Sequence, residues 1–233
     1  IIGSNDMGPL AGRRTRPIAL AAPANFLRRE RLVHAEQARG NKALLHVLKT
    51  ESDIVQAAER LDGGHEFATV FPATPFGNAV KTASRVVANR AGIAAVRITL
   101  NGFDTHVAQA ATQARLLTDL AQGLVALRSA LVEIERWDST LALTYAEFGR
   151  RPQENLSAGT DHGTANVHFA TGGRVRGGLY GEAPNLGALT ANANVAHAID
   201  FRSVYATALD NWWNVDSQAA LGGRFAPLPY LRT

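Results

Sequence analysis

Two short segments carry an aspartate and a histidine close enough in sequence to act together. In Asn101-Gly102-Phe103-Asp104-Thr105-His106, Asp104 and His106 are two residues apart, so an extended backbone projects both to one side, where they can meet one cation. Gly159-Thr160-Asp161-His162-Gly163-Thr164 sets Asp161 beside His162 between glycines, and Ala146-Glu147-Phe148-Gly149-Arg150 adds a carboxylate and a guanidinium. Asp104, His106, Glu147, Asp161 and His162 make a donor set of hard oxygen and imidazole nitrogen. Such a set suits Zn, Mn, Fe, Mg or Ca rather than copper(I) or an iron–sulfur cluster. In two-metal hydrolysis one ion activates the attacking oxygen and the other clamps the leaving side of a phosphoryl group. Each Asp/His pair taken singly also reads as a loop hydrogen-bonding pair, and Asp161 as a cap for the turn after it. Arg150 can orient an anionic group through its planar fork, or belong with Arg151 to a solvated basic loop. Ser157 and Thr160 lack the strand-to-helix elbow of an activated nucleophile, and there is no Walker loop or dinucleotide fingerprint after a strand.

The elements that must position these residues follow from periodicity. Asn25 to about Leu61 has helical spacing, divided near Gly40, and Asn78 to Asn89 is a second amphipathic stretch. Ile93 to Leu100 alternates like a strand. Ala110 to Trp137 is the clearest helix, with Leu116, Leu120, Leu124, Leu127, Leu131 and Ile134 on one stripe that reads as core. Asp138 to Tyr145 and Val167 to Thr171 read as strands, Gly149 to Gly159 as a polar loop, Gly172 to Gly178 as a hairpin turn, and Ala198 to Trp212 as a helix. Leu221 to Leu231 reads as a turn-rich tail. Strands alternating with a long helix predict a single α/β domain over residues 1–233, a mostly parallel sheet flanked by helices, with function at the carboxyl ends of its strands.

Composition narrows the partners. The 233 residues carry 24 Lys+Arg against 20 Asp+Glu, a net charge of +4, with 46% apolar residues, which excludes a disordered or collagen-like chain. The arginines are scattered (Arg13, Arg14 and Arg16; Arg28, Arg29 and Arg31; Arg150 and Arg151), and aromatics, at 7%, do not interleave with them, which speaks against nucleic-acid binding. No apolar run nears the roughly 20 residues of a membrane span. The absence of cysteine removes disulfides and thiolate sites. The stretch from Arg13 to Ala22 superficially copies an export signal, but prolines break it, and it reads as a loop feeding a helix.

Read in order, Gly102-Phe103-Asp104-Thr105-His106, Glu147-Phe148-Gly149-Arg150, Gly159-Thr160-Asp161-His162-Gly163-Thr164-Ala165-Asn166, Gly177-Gly178-Leu179-Tyr180-Gly181 and Asp200-Phe201-Arg202-Ser203-Val204-Tyr205-Ala206-Thr207 resemble the bacterial domain of unknown function 1501 family. The resemblance runs from about Ile18 onward, and that family is similar to the alkaline phosphatase and sulfatase superfamily. It implies an alkaline phosphatase-like fold, a divalent-metal site at the sheet's carboxyl edge, a small anionic phosphate or sulfate ester as substrate, and a periplasmic or exported location. Asp104 and His106 resemble the superfamily's first ligand group and His162 its later histidine. Glu147-Phe148-Gly149 stands where Asp-His-Gly is expected, and Phe148 cannot ligate, so a second metal would be absent, altered or completed by Asp161. The superfamily's nucleophile and first metal-binding Asp would lie ahead of Ile1, so the chain resembles the C-terminal portion of a longer protein. An exported binding or assembly protein that keeps the fold without catalysis is the alternative; oligomeric state is open.

Overall fold

The computed structural model describes residues 1–2, 65–89, 93–190 and 192–232. The helical region expected from Asn25 to Leu61 lies outside the described residues. The chain divides into two compact units, Ile1–Gly102 with Arg115–Arg136, and Phe103–Ala114 with Trp137–Thr233.

In the first unit, α1 (Pro75–Ala88) begins where the Thr74 hydroxyl accepts from the Gly77 N–H at 3.1 Å. Pro75 occupies the first helical position, where its missing N–H leaves no bond unmade. Phe76, Ala79, Val80, Ala83 and Val86 recur at three- and four-residue spacing and are buried. Ala79, Ala83 and Val86 pack with Ile2, Val96 and Ile98.

The long helix expected from Ala110 is α2 (Gln109–Glu133). Leu116 and Leu131 of its apolar stripe are buried, while Leu120, Leu124, Leu127 and Ile134 are half-buried. The deepest positions between the two buried leucines are small: Gly123, Ala126 and Ala130. A Cβ on Gly123 would overlap the Phe76 ring, so the absence of a side chain is what admits that ring. At the helix end, the Glu133 carboxylate accepts from the Ala68 N–H (2.8 Å), the Thr69 N–H (3.0 Å) and the Thr69 hydroxyl (2.8 Å).

The strand pairing differs from the sequence expectation. Ile93 to Leu100 forms one parallel bridge, Ile98 to Ile2. The named strands among the described residues pair antiparallel: β1 (Ala142–Leu143) with β4 (Ala170–Thr171), and β2 (Gly149–Glu154) with β3 (Thr160–Gly163). Alternation records a half-buried extended segment; it does not record which neighbour that segment pairs with or in which direction.

In the second unit, most of the expected loop Gly149–Gly159 is strand β2. Its polar residues are half-buried or exposed after Gly149, as on a hairpin with a wet face, and Pro152 sits at the register shift between Arg150 and Glu154. The helix expected from Ala198 to Trp212 is α3 (Phe201–Ala206) continuing into a π-helical turn, Thr207–Trp212, and α4 (Ser217–Leu221) follows. Buried Thr207 donates to the Ser203 carbonyl (2.7 Å) and accepts from the Leu228 N–H (2.7 Å). The Tyr230 hydroxyl donates to the Val204 carbonyl at 3.0 Å, and burial pushes its phenol up to about 12. No helix among the described residues is long and apolar enough to cross a membrane.

Candidate metal centre

The β2–β3 hairpin sets Arg150 directly opposite His162. Because side chains alternate along a strand, Arg150 shares a face with His162 and Thr160, while Asp161 is turned to the other. The segment carrying Asp104 and His106 is laid along this hairpin by backbone hydrogen bonds. The Thr160 N–H donates to the Thr105 carbonyl (3.3 Å), the Ala108 N–H to Ser157 (3.0 Å) and the Gln109 N–H to Ala158 (2.8 Å). Ala108 and Ala158 adopt positive φ values of 45° and 54°, a conformation costing a non-glycine residue about 1–2 kcal/mol, which these bonds must hold in place.

Asn155 organises the hairpin turn. Its Oδ1 accepts from the Ser157 N–H (2.9 Å) and the Gly159 N–H (3.1 Å), the side-chain mimicry of a turn that asparagine favours. Its Nδ2 donates to the His106 carbonyl (3.1 Å) and to Asp161 Oδ1 (3.4 Å). Gly159 is required by close approach: a Cβ there would fall on the His106 carbonyl. The sequence did not mark Asn155, since a lone asparagine in a polar segment reads only as a turn residue; its position four residues before a glycine was the one available signal.

This scaffold brings three side chains together. Asp104 Oδ1 lies 3.0 Å from His106 Nε2 and 2.9 Å from His162 Nε2, and the two imidazole nitrogens are 3.1 Å apart. The side chains remain 56%, 45% and 49% exposed, leaving the open side of the triangle to solvent. Two imidazoles and a carboxylate converging on one small volume fit a divalent ion, whose ligands lie at about 2.0–2.2 Å and which keeps open positions when the protein supplies three. Phe148 stacks on the His162 ring, with centroids 3.7 Å apart at 16°, fixing the plane of that imidazole.

Arg150 is 17% exposed and makes four hydrogen bonds to the protein from its five N–H groups. Its Nη1 donates to Asp104 Oδ1 (2.6 Å), its Nη2 to the Thr105 carbonyl (2.7 Å) and to the Thr160 carbonyl, and its Nε to the Thr160 hydroxyl (3.1 Å). It ties the Asp104 loop to β3, which is a different task from gripping an anionic substrate. His162 first, and Arg150 next, hold the Asp104 carboxyl below the usual carboxylate range.

Of the five ligands expected, Asp104, His106 and His162 are brought together, and Asp161 and Glu147 are not part of that cluster. Asp161 Oδ1 faces Nδ1 of His106, at 3.5 Å, while Nε2 of the same ring serves the cluster. Asn155 first, and His106 after it, lower the Asp161 carboxyl. Glu147 is exposed.

Against known proteins, residues 18–222 match the family described as "Protein of unknown function (DUF1501)", and the chain belongs to that family. No match was found among curated proteins or solved structures.

Proposed function

We propose that the chain is a metal-dependent, hydrolase-like domain of the phosphate- and sulfate-ester-cleaving type, holding a divalent ion with Asp104, His106 and His162. The observation that supports this reading is the triangle of Oδ1 and two Nε2 atoms, with sides of 2.9–3.1 Å and solvent on its open side. A bound divalent ion would supply Lewis-acid polarisation of an ester oxygen and stabilise charge developing there. The charge balance favours an anionic substrate: Asp104 and Asp161 bring two negative charges and Arg150 one positive, so a dication still leaves the site positive. Arg150 contributes to that field and positions Asp104. The resemblance to exported phosphatases and sulfatases agrees with this substrate class and with a periplasmic or exported location.

A second reading, a non-catalytic exported binding or assembly protein, is favoured by two observations. Four of the five Arg150 N–H groups are committed to the protein, and Phe148 stands against His162 where the superfamily pattern would offer a ligand. The test is to strip the full chain with a chelator, titrate it with Zn, Mn, Fe, Mg and Ca, and assay an aryl phosphate and an aryl sulfate. One-to-one binding is expected of this chain, and turnover of either ester once the segment that the superfamily resemblance sets ahead of Ile1 is joined to it. Binding without turnover in that longer protein would establish the second reading, and absence of saturable binding would sink both the site and the hydrolase assignment.

A further inference from the structure

Resting on the metal-site reading above, we propose that Asp161 is a positioning residue, which, backed by Asn155, holds His106 as the Nδ1–H tautomer and so keeps the Nε2 lone pair aimed at the cluster. The contact is between Asp161 Oδ1 and His106 Nδ1 (3.5 Å), and Asn155 Nδ2 donates to the same carboxylate oxygen (3.4 Å) while also donating to the His106 carbonyl (3.1 Å). One side chain therefore fixes both the backbone of the histidine and the carboxylate facing its ring. A neutral imidazole carries one N–H, and its tautomer follows the hydrogen bond made by the nitrogen that does not ligate. An ionised carboxylate accepts only, so with Asp161 at Nδ1 the proton belongs there.

The consequence at the other edge of the ring is specific. With Nε2 unprotonated, His106 and Asp104 Oδ1 present two acceptors to each other across 3.0 Å, a repulsive arrangement unless a cation or a donor lies between them. His162 Nε2–H, 2.9 Å from the carboxylate and 3.1 Å from His106 Nε2, serves as that donor in the metal-free protein. An arriving cation would displace this one shared proton, which solvent can return to His162 Nδ1, so that the ring stays neutral and its Nε2 lone pair joins those of His106 Nε2 and Asp104 Oδ1.

The decisive measurement is nitrogen NMR of the histidine side chains in the metal-free full chain, at about pH 8.5, where an ordinary imidazole is neutral. The expected result is His106 predominantly as Nδ1–H, against the Nε2–H form that free histidine favours. A wild-type His106 that is predominantly Nε2–H would overturn the proposal without any variant. In Asp161→Ala the His106 signal should move toward Nε2–H, and divalent-ion affinity should fall about 10–100-fold, the range typical of lost outer-shell partners. An unchanged tautomer in folded Asp161→Ala would equally overturn it. Because the tautomer is read without metal, an Nδ1–H wild type that bound no ion would sustain this inference while the metal-site reading failed.

Discussion

Glu133 and Asp104 are both carboxylates that gather several donors and are held below their usual ionisation range, one in each unit of the molecule. Around Glu133 the donors are the Ala68 and Thr69 amides and the Thr69 hydroxyl, with a single imidazole, that of His65, standing 3.6 Å from Oε1. The two amides have no other chemistry to offer, and the arrangement ties the end of α2 to the chain at Ala68–Thr69. Around Asp104 the neighbours are a guanidinium and two imidazole nitrogens that meet at one oxygen. Imidazole nitrogens are donors or acceptors according to where their proton sits, so this second arrangement can exchange a proton for a metal ion. The lesson is that neither a depressed carboxylate nor one imidazole beside it marks a reactive site; two imidazole nitrogens converging on a single carboxylate oxygen do.

Gly159→Val would break the contrast most severely. Its side chain would collide with the His106 carbonyl, separate the Asp104 segment from the hairpin, and lower divalent-ion affinity by about 100-fold or more, read by calorimetric titration. Arg150→Lys is the next largest. A point-charge ammonium cannot reproduce a fork serving Asp104, Thr105 and Thr160 together, so affinity should fall about tenfold with the fold retained by circular dichroism. Glu133→Gln should do the reverse: a lower melting temperature, because one carboxylate oxygen that receives a backbone amide becomes a donor, with ion affinity unchanged.

Much of the site was legible because it depends on residue type and short spacing. Asp104 and His106 two residues apart, and His162 between glycines, were sufficient to nominate three of the converging groups. Asp161 and Glu147 were nominated by the same reasoning and fall outside the cluster, since adjacency to a ligand does not say which strand face a side chain takes; alternation turns Asp161 away from His162. Long helices were legible too, because the period over α2 is sustained for many turns, although the role of Gly123, Ala126 and Ala130 at its deepest face is invisible to a count of leucines. Pairing was not legible. The polar segment after Gly149 gave no apolar alternation, yet it is strand because its backbone pairs with β3 and its side chains need no core.

The smallest expected effect concerns Asp200, which caps α3 and forms a two-pronged ion pair with Arg202 that pulls its carboxyl down to about 2. A lowered folded-state value means the stabilisation is fully present above the ordinary aspartate range and is lost as pH falls through about 2. Thermal melts between pH 5 and 2 should therefore show a fall that is shallower in Asp200→Asn.

The central claim is that groups separated by more than fifty residues hold one ion together. The direct test is manganese binding to the chelator-treated full chain, followed by paramagnetic resonance, in the wild type and in His106→Ala/His162→Ala. One saturable site is expected in the wild type and its loss in the double variant; undiminished binding by a folded double variant would contradict ligation by these side chains.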